Sequence, residues 1–445
     1  MNKKSAGTDL KAAALAYHRF PHPGKTETMP TKPFGTPEDL ALAYSPGVAF
    51  PCLEIARNPE NAFRFTDRGN TVAVISNGTA VLGLGDIGPA AAKPVMEGKA
   101  MLFKIFGGLD STDIEIDEKD PAKFVEIVRA LAPTYGGINL EDIKAPECFT
   151  IEKELVEACD IPVMHDDQHG TATIVGAAAL NAALLTGRRL SDIRLAVNGA
   201  GAAAIACTQL LIALGVKKEN VVMCDSKGVV RSDRAALTPE KALFATDAPG
   251  LVSLADAVRG ADMFLGLSVA DVLTPDMLRS MAPKPIVFAL ANPNPEIARE
   301  AALDAVPDLI YATGRSDYPN QINNVLGFPY IFRGALDCRA TRIDMGMKLA
   351  AARAIAQLAR MEVPGEVAAL YPSEHLVFGP DYLLPKPFDR RLLATVPPAV
   401  VKAAMDAGLA RHPLHDLSHY GRRLQRYIAD TDAHMQRFIA SARAM

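Results

Sequence analysis

Two pairs of adjacent carboxylates stand out between residues 139 and 170. Glu141 and Asp142 form one pair, and Asp166 and Asp167 form the other, each where an apolar run ends in a loop. A hard divalent cation such as Mg²⁺ or Mn²⁺ prefers oxygen ligands and keeps water or substrate in its remaining positions. Three carboxylates from two segments would suit such an ion, although solvated loop acids or helix caps give the same spacing.

Two histidines, His165 and His169, flank the second acidic pair. Imidazole is a typical ligand of Zn²⁺, whereas the other candidate ligands here are all oxygens. We therefore expect both histidines to stabilise the site or the fold and not to bind a metal ion.

A glycine-rich loop follows an apolar run in RLAVNGAGAAAIA. Gly199 and Gly201 take the first two positions of a G-x-G-x-x-G/A pattern, and Ala204 takes the third. The glycines permit a tight turn and close approach of backbone N–H groups to a pyrophosphate, while the small third residue lets helix and strand pack. The next predicted strand, VVMCD, ends at Asp225, where a ribose contact is expected. An ordinary strand–helix turn explains the glycines alone, but the combination predicts dinucleotide binding.

The elements around these residues change in character near residue 170. Before that point, strand-like runs alternate with predicted helices and loops; after it, solid apolar strands alternate regularly with helices as far as FALANPNPE. Such alternation predicts a parallel, doubly wound sheet covered on both faces. The predicted fold is α/β, with a mixed α/β domain over residues 1–165, a Rossmann-type domain over 166–395 and a helical C-terminal tail over 396–445 packed on the body.

Two local patterns carry more specific predictions. Asn77-Gly78 is a turn signal between the β-branched run TVAVIS and a second run, TAVLGLG, and predicts that both are strands. The most apolar window, residues 171–187, is Ala-rich and contains Asn181, so it predicts a buried helix and not a membrane span.

The composition excludes several classes of function. With 445 residues, of which 49% are hydrophobic and 22% charged, the chain can bury the cores of two or three domains. A net charge of -4 without basic blocks argues against nucleic acid or an anionic membrane as partner. The N-terminus lacks the apolar core of a signal peptide, and the six scattered cysteines form no CxxC pair. The expected location is a reducing cytoplasm.

Taken together, the motifs resemble those of the malic enzyme family over nearly the whole chain. The matching stretches include LALAYSPGVA, VLGLGDIGP, KPVMEGKAMLFKIFGG, INLEDIKAPECF, HDDQHGTA, DSKG, FALANPNPE and NQINNVLGFPYIFRGALD. The likeness is closest to the bacterial type fused to a phosphotransacetylase-like domain. It implies oxidative decarboxylation of (S)-malate to pyruvate and CO₂, with NADP and Mg²⁺ or Mn²⁺ as cofactors, in a homodimer or larger homo-oligomer whose N-terminal domain binds metal and substrate.

The resemblance also implies roles for individual side chains. Tyr44 in AYSPG matches the family's general acid, and Lys99 in MEGK matches its catalytic lysine, whereas the rival Lys93 does not align with it. Asp166 matches an acidic neighbour of these catalytic groups. The remaining matches are the metal ligands Glu141, Asp142 and Asp167, and the asparagines Asn292, Asn323 and Asn324, which reach the substrate or the nicotinamide. An arginine that binds malate's carboxylate in larger, animal-type members is replaced by Ala80.

These roles have a chemical rationale. Malate must lose the proton of its C2 hydroxyl as hydride leaves C2, and a neutral amine can accept that proton. Lys99 would therefore need a lowered pKa, through burial or a nearby cation. The enolate left by loss of CO₂ needs a proton at C3, which the Tyr44 hydroxyl can supply. Taken alone, Tyr44 equally suits a packed aromatic residue, and Lys99 a solvated lysine.

The residues after the second Rossmann strand bear on the choice of cofactor. An acidic strand end such as Asp225 normally binds the 2′-hydroxyl of NAD and repels a 2′-phosphate. Ser226 and Lys227 can instead bind that phosphate, and Arg231 and Arg234 add positive charge nearby. The DSKG form resembles that of NADP-using members, so we expect NADP, with Lys227 as the main phosphate contact; NAD stays possible.

Two other functions fit parts of the pattern. A two-domain amino-acid dehydrogenase would also use a lysine and a nicotinamide fold but no metal carboxylates. A regulatory module could keep the fold without activity, although all proposed catalytic positions are intact. Fused relatives continue into a transferase-like domain, whereas this chain runs to Met445, so we expect no response to acetyl-CoA.

Overall fold

The first part of the chain forms helices of varied length around a four-stranded sheet. The structure, a computed structural model, describes residues 3–20, 23–81 and 83–427. The four strands are all parallel and lie in the order β2-β1-β3-β4. All six residues of β1 are buried, as expected for the run TVAVIS in a sheet covered on both faces. The elements are α1 (Lys3–Arg19), α2 (Pro37–Ala43), α3 (Ala49–Arg57), α4 (Ala62–Phe65), β1 (Thr71–Ser76), α5 (Pro89–Gly107), β2 (Asp110–Glu115), α6 (Pro121–Leu131), β3 (Gly137–Leu140), α7 (Glu147–Ala158) and β4 (Val163–His165).

The second part is built on a six-stranded sheet in the order β10-β9-β8-β5-β6-β7. Its strands are parallel except for the antiparallel edge strand β7. The chain winds from β5 outward in both directions, which is the doubly wound arrangement predicted from the sequence. The elements are α8 (Asp166–Leu185), β5 (Leu195–Asn198), α9 (Ala202–Leu214), β6 (Val221–Asp225), β7 (Gly228–Val229), α10 (Pro239–Ala242), α11 (Leu254–Val258), β8 (Met263–Gly266), α12 (Pro275–Arg279), β9 (Ile286–Ala289), α13 (Arg299–Ala305), β10 (Ile310–Thr313), α14 (Phe328–Asp337), α15 (Met345–Ala359), α16 (Gly365–Ala368) and α17 (Arg391–Asp406).

Helix α8 joins the two parts and is largely buried. It packs against α9 and α15, and Gly176 permits the close approach, because a Cβ there would lie 2.3 Å from Leu210 Cδ2. The polar Asn181 is satisfied inside the core: its amide donates to the carbonyls of Ala356 and Leu383, and its oxygen accepts from Arg360. The buried helix predicted for this window is present. Within the described residues, no helix combines the length and apolar character needed to cross a membrane.

The prediction of a strand over TAVLGLG is wrong. Among the described residues of this segment, Val81 makes only an isolated bridge to Gly85. The backbone of Gly78 instead accepts hydrogen bonds from Ile87 and Gly88, which folds the loop back on itself. Gly78 has φ +65° and a Cβ there would lie 2.2 Å from the Gly88 carbonyl oxygen, so the turn closes a loop and not a hairpin.

The C-terminal segment packs on the body as far as the structure describes it. The Tyr420 hydroxyl donates to Asp337, and the Tyr427 hydroxyl donates to the Gly108 carbonyl. The rest of the predicted tail, residues 428–445, lies outside the described residues. The domain boundaries at residues 165 and 395 stay predictions.

Candidate active site

The two acidic pairs meet at one edge of the first sheet. Strand β3 ends directly before Glu141 and β4 directly before Asp166, and the two strands pair in parallel with Leu140 opposite His165. Because the carboxyl ends of neighbouring parallel strands lie together, segments 25 residues apart in sequence supply adjacent side chains. Asp142 has φ +52°, a conformation that is uncommon for a residue with a side chain and that recurs at functional sites.

Three carboxylates form a geometry that fits a hard divalent cation. One oxygen each from Glu141, Asp142 and Asp167 lies within 4.8 Å of the other two. Asp167 is oriented by the backbone N–H of Asp142, at 2.8 Å, and by His165 Nε2, at 3.1 Å. Glu141 and Asp142 are buried, whereas the Asp167 side chain is 37% exposed, so the cluster has one open side. Oxygen ligands with an open side suit Mg²⁺ or Mn²⁺.

Lys99 projects from α5 into this acidic cluster. Its Nζ atom lies 2.6 Å from Asp166 Oδ2, 3.0 Å from Glu141 Oε1 and 4.2 Å from the centre of the Phe328 ring. The side chain is only 7% exposed, and this burial lowers its pKa, but the negative charges of Asp166 and Glu141 outweigh burial and raise it. The lowered pKa expected for a proton acceptor is therefore not found in this arrangement.

The rival base, Lys93, lies elsewhere. Its ammonium group pairs with Asp113 and Glu115 on strand β2, and its side chain is 48% exposed. The structure thus brings Lys99, and not Lys93, to the buried carboxylates.

Asp166 is fixed by two residues distant in sequence. Besides Lys99, its Oδ2 accepts a hydrogen bond of 2.6 Å from the Asn324 amide. Gly170, one turn along α8, leaves room for the carboxylate, since a Cβ there would lie 1.8 Å from Asp166 Oδ1. The Asn323 side chain accepts a hydrogen bond from the Val325 N–H, at 3.0 Å. Gly170 is a site residue that the sequence reasoning missed, although it stands in the quoted stretch HDDQHGTA.

A second missed residue, Glu152 on α7, anchors the start of α8. Its carboxylate accepts from the His165 backbone N–H at 2.8 Å and from the Gln168 amide at 3.1 Å, and it contacts His169 Nε2 at 3.0 Å. Burial raises the pKa of Glu152, but His169 and its other partners bring it down to about 2. Lys348 contacts the other nitrogen of His169 at 3.1 Å. The two histidines therefore lie where they can orient the acidic segment, in line with the supporting role predicted for them.

The glycine loop after β5 has the geometry of a dinucleotide site. Gly199 has φ +125°, and a Cβ there would lie 2.5 Å from the Leu267 carbonyl oxygen. Helix α9 begins directly after Gly201, where a Cβ would meet nothing within 4 Å. Ala204 is 1% exposed and packs at the turn. A helix N-terminus beside open space favours a pyrophosphate.

A buried carboxylate that the sequence reasoning missed, Glu296, holds the neighbouring loops. It accepts from the N–H groups of Ser268 and Ala291, both at 3.0 Å, and so joins the segments after β8 and β9. Asn292 is exposed at this turn, and its carbonyl oxygen lies 3.4 Å from where a Cβ on Gly83 would stand. The turn that carries Asn292 therefore abuts the loop of the first part.

Of the two remaining positions singled out in the sequence, Tyr44 lies apart from these contacts and Ala80 lies next to them. Tyr44 ends helix α2 with 71% of its surface exposed, and within the described ranges its hydroxyl makes no hydrogen bond. Ala80 lies beside the acidic cluster, and its N–H donates to the Asp142 carbonyl. A methyl group at this position offers no hydrogen-bond donor to a carboxylate.

Comparison with known proteins agrees with this geometry. Residues 23–156 match the family described as "Malic enzyme, N-terminal domain", and residues 168–377 match "Malic enzyme, NAD binding domain". The chain is 57% identical to an NADP-dependent malic enzyme of Salmonella typhimurium and 56% identical to an NAD-dependent malic enzyme of Rhizobium meliloti. Each alignment covers 98% of this chain and 57% of the relative, so the chain spans little more than half the length of either.

A solved structure extends the likeness to the fold. The malic enzyme from Pyrococcus horikoshii superposes with a TM-score of 0.88 at 42% identity, covering 96% of this chain and 98% of that one. The two family matches together span well over half of the sequence. The chain belongs to the malic enzyme family.

Proposed function

We propose that the protein oxidatively decarboxylates (S)-malate to pyruvate and CO₂ and reduces NADP, in a reaction that requires Mg²⁺ or Mn²⁺. The observation that carries this proposal is the buried contact of Lys99 with Asp166 and Glu141, beside three converging carboxylates. A metal-independent amino-acid dehydrogenase would not need this arrangement, nor would an inactive module. Membership of the malic enzyme family does not favour either of these alternatives.

The divalent ion, held by Glu141, Asp142 and Asp167, would polarise the C2 oxygen of the substrate and take up electron density as CO₂ leaves. Asp167 lies on the exposed side of the cluster, where a substrate can enter. Glu141 and Asp142 are buried and keep the ligand set rigid.

Lys99 would accept the proton of the C2 hydroxyl as hydride leaves for the nicotinamide. To do so it must first be neutral, and the carboxylates now oppose this by raising its pKa. A divalent cation bound by Glu141, Asp142 and Asp167 would offset their negative charge and so oppose the rise in the pKa of Lys99. Asp166, itself held by Asn324, would then keep Nζ oriented towards the substrate.

The general acid assigned to Tyr44 implies a second copy of the chain. Its side chain is exposed, and large apolar side chains are also exposed on α1, α2 and α3, namely Leu10, Leu15, Tyr17, Leu40, Leu42, Phe50 and Leu53. Exposed apolar groups in such number mark protein interfaces. We propose a homodimer formed through these helices. The partner covers Tyr44, and the Tyr44 hydroxyl then protonates C3 of the enolate. Malate is the proposed small-molecule substrate, with no nucleic acid or membrane partner.

The proposed location is the cytoplasm. All six cysteines are free thiols, and five of them are buried. Free thiols are typical of reducing compartments.

A turnover assay tests the proposal directly. Malate with Mn²⁺ and NADP should yield pyruvate, CO₂ and NADPH in equal amounts. Exhaustive treatment with EDTA should abolish turnover, and added Mn²⁺ should restore it. Full activity without metal ion, or turnover of an amino acid in place of malate, would show that the proposal is wrong.

A further inference from the structure

We propose that Glu296 is a positioning residue for the nicotinamide half of the dinucleotide. Its carboxylate fastens the turn that carries Asn292 to the loop after β8, and so fixes the surface on which that half binds. This inference rests on the proposed function, because it takes the ligand of the second sheet to be a nicotinamide dinucleotide. The sequence patterns assigned no role to Glu296.

The second sheet divides the dinucleotide between two groups of strands. The glycine loop after β5 faces the pyrophosphate, and β6 ends at Asp225, where the adenosine ribose is expected. In a doubly wound sheet the ligand lies across the carboxyl ends of the strands, with one mononucleotide over each half. Strands β8, β9 and β10 lie on the other side of β5, so their carboxyl ends receive the nicotinamide half. Glu296 lies in the segment that follows β9.

The Glu296 carboxylate joins the segments after β8 and β9. Its Oε1 accepts from the Ser268 N–H and its Oε2 from the Ala291 N–H, each at 3.0 Å. The main chain adds a further bond between the same segments, because the Leu273 N–H donates to the Glu296 carbonyl at 3.0 Å. Ala291 directly precedes Asn292, so the contact to Oε2 fixes the point at which the Asn292 turn begins.

The carboxylate is completely buried, and the space that it fills is made by a glycine. Gly266 ends β8, and a Cβ there would lie 2.4 Å from Glu296 Cδ and 2.5 Å from its Oε1. Burial raises the pKa of Glu296, and the hydrogen bonds from Ala291 and Ser268 oppose that rise. A buried carboxylate that loses such donors is costly, so movement of either segment away from the other is disfavoured.

The glycine loop is held by other contacts. The Gly199 N–H donates to the Cys224 carbonyl at 2.9 Å, which ties the loop to β6. Asn198, directly before the loop, donates from its amide to Ser268 Oγ at 2.6 Å. Neither bond involves Glu296. Loss of the Glu296 carboxylate should therefore loosen the turn after β9 and leave the cradle of the pyrophosphate and adenosine in place.

The test compares the complete dinucleotide with its adenosine half. Glu296→Gln keeps the volume of the side chain and one acceptor oxygen but sets an amide N–H₂ against a backbone N–H. It should weaken binding of NADPH, followed by nicotinamide fluorescence, by roughly 5- to 100-fold and leave binding of 2′,5′-ADP, measured by calorimetry, within about 2-fold. At saturation, the fluorescence of bound NADPH should also differ from that in the wild type, because the surroundings of the ring change. Glu300→Gln, which alters an exposed carboxylate on α13, is the matched control and should change neither affinity.

A second variant disturbs the same contact from the opposite side. Gly266→Ala displaces the carboxylate without changing its charge and should give the same selective loss of NADPH affinity. Thermal melting identifies any variant that does not fold. Hydrogen exchange of the wild type requires no variant, and it should show the N–H groups of Ser268 and Ala291 protected before any nucleotide is added.

Equal weakening of NADPH and 2′,5′-ADP in folded Glu296→Gln, or unchanged affinity for both, would overturn the positioning role. Rapid exchange of the two N–H groups in the free wild type would do so as well. Because nucleotide binding requires no malate chemistry, selective loss of NADPH affinity without malate turnover would reject the proposed reaction and retain the role of Glu296. Malate turnover with equal loss of both ligands would do the reverse.

Discussion

The Nζ atom of Lys99 lies 2.6 Å from Oδ2 of Asp166, in a contact between two almost fully buried groups. The lysine comes from the middle of α5 and the aspartate from the first turn of α8. Packing between α5 and α14, where Phe103 meets the rings of Phe328 and Phe332, sets the depth at which the ammonium group sits.

Lys99→Ala should lower both oxidative decarboxylation and the reduction of oxaloacetate by about 100-fold or more, because both directions pass through the same proton transfer. Steady-state assays in each direction measure this. Lys93→Ala is the matched control, since that lysine lies on the same helix but pairs with Asp113 and Glu115 on β2 instead of the acidic cluster, and it should stay within a few-fold of wild type. If Lys99→Ala keeps wild-type rates in both directions, Lys99 is not the base. Removing Lys99 also leaves Asp166 buried without its cation, so circular dichroism should accompany the kinetics.

Asp167→Ala should abolish Mn²⁺ binding and malate turnover, because it removes an oxygen ligand and a negative charge from the open side of the cluster. Electron paramagnetic resonance of free Mn²⁺ reports the affinity without any need for activity. The exposed Asp276→Ala variant should bind as wild type does. Wild-type affinity in Asp167→Ala would remove this residue from the ligand set.

Tyr44→Phe should impair protonation of enolpyruvate and leave the reduction of oxaloacetate partly intact, because the two steps use different proton carriers. If Tyr44 of one chain serves the site of its partner in the proposed dimer, mixing Tyr44→Phe chains with Lys99→Ala chains under conditions that allow exchange should restore part of the decarboxylating activity. Ultracentrifugation of the wild type gives the oligomeric state. A monomer with full activity, or mixtures that stay inactive despite subunit exchange, would contradict action across a dimer.

Glu152→Ala should weaken Mn²⁺ affinity by roughly 10- to 100-fold, because its carboxylate holds the backbone of His165 and the side chain of His169 behind the ligands. Glu152→Gln keeps acceptor oxygen and should recover part of the loss. Glu154→Gln on the same helix is the surface control. A change in KM for malate without any change in metal affinity would argue against this positioning role.

Glu115 lies beside Asp113, and burial together with that neighbour raises its pKa to about 7. The folded state therefore holds a proton more tightly than the unfolded chain, so stability is lost as pH rises from the ordinary value of 4.5 through 7. Glu115→Gln mimics the protonated form. It should raise the melting temperature at pH 8 and leave it unchanged near pH 4. An equal effect at both pH values would point to packing and not to ionisation.

The sequence was sufficient for features that local patterns encode. The glycine loop around Gly199 and the buried helix α8 follow from strand–turn–helix order and apolar composition. Glu152 could not be identified in this way, because a charged residue on an amphipathic helix resembles a solvated one until its distant partner is known. The prediction of a lowered pKa for Lys99 was wrong for a related reason. Burial of the side chain was foreseen, but the number of carboxylates that meet at Nζ depends on how β3 and β4 pair.

Helix α8 carries the acidic pair at its first turn and the close contact of Gly176 with Leu210 some turns later. Each added residue advances a helix by about 1.5 Å and rotates it by about 100°. A single insertion between these points would therefore turn Asp166 and Asp167 away from Glu141 or drive a side chain into α9. Natural variants should thus conserve the residue count along this stretch of α8. The spacing between the acidic cluster and the contact of α8 with α9 then stays constant while other parts of the chain change in length.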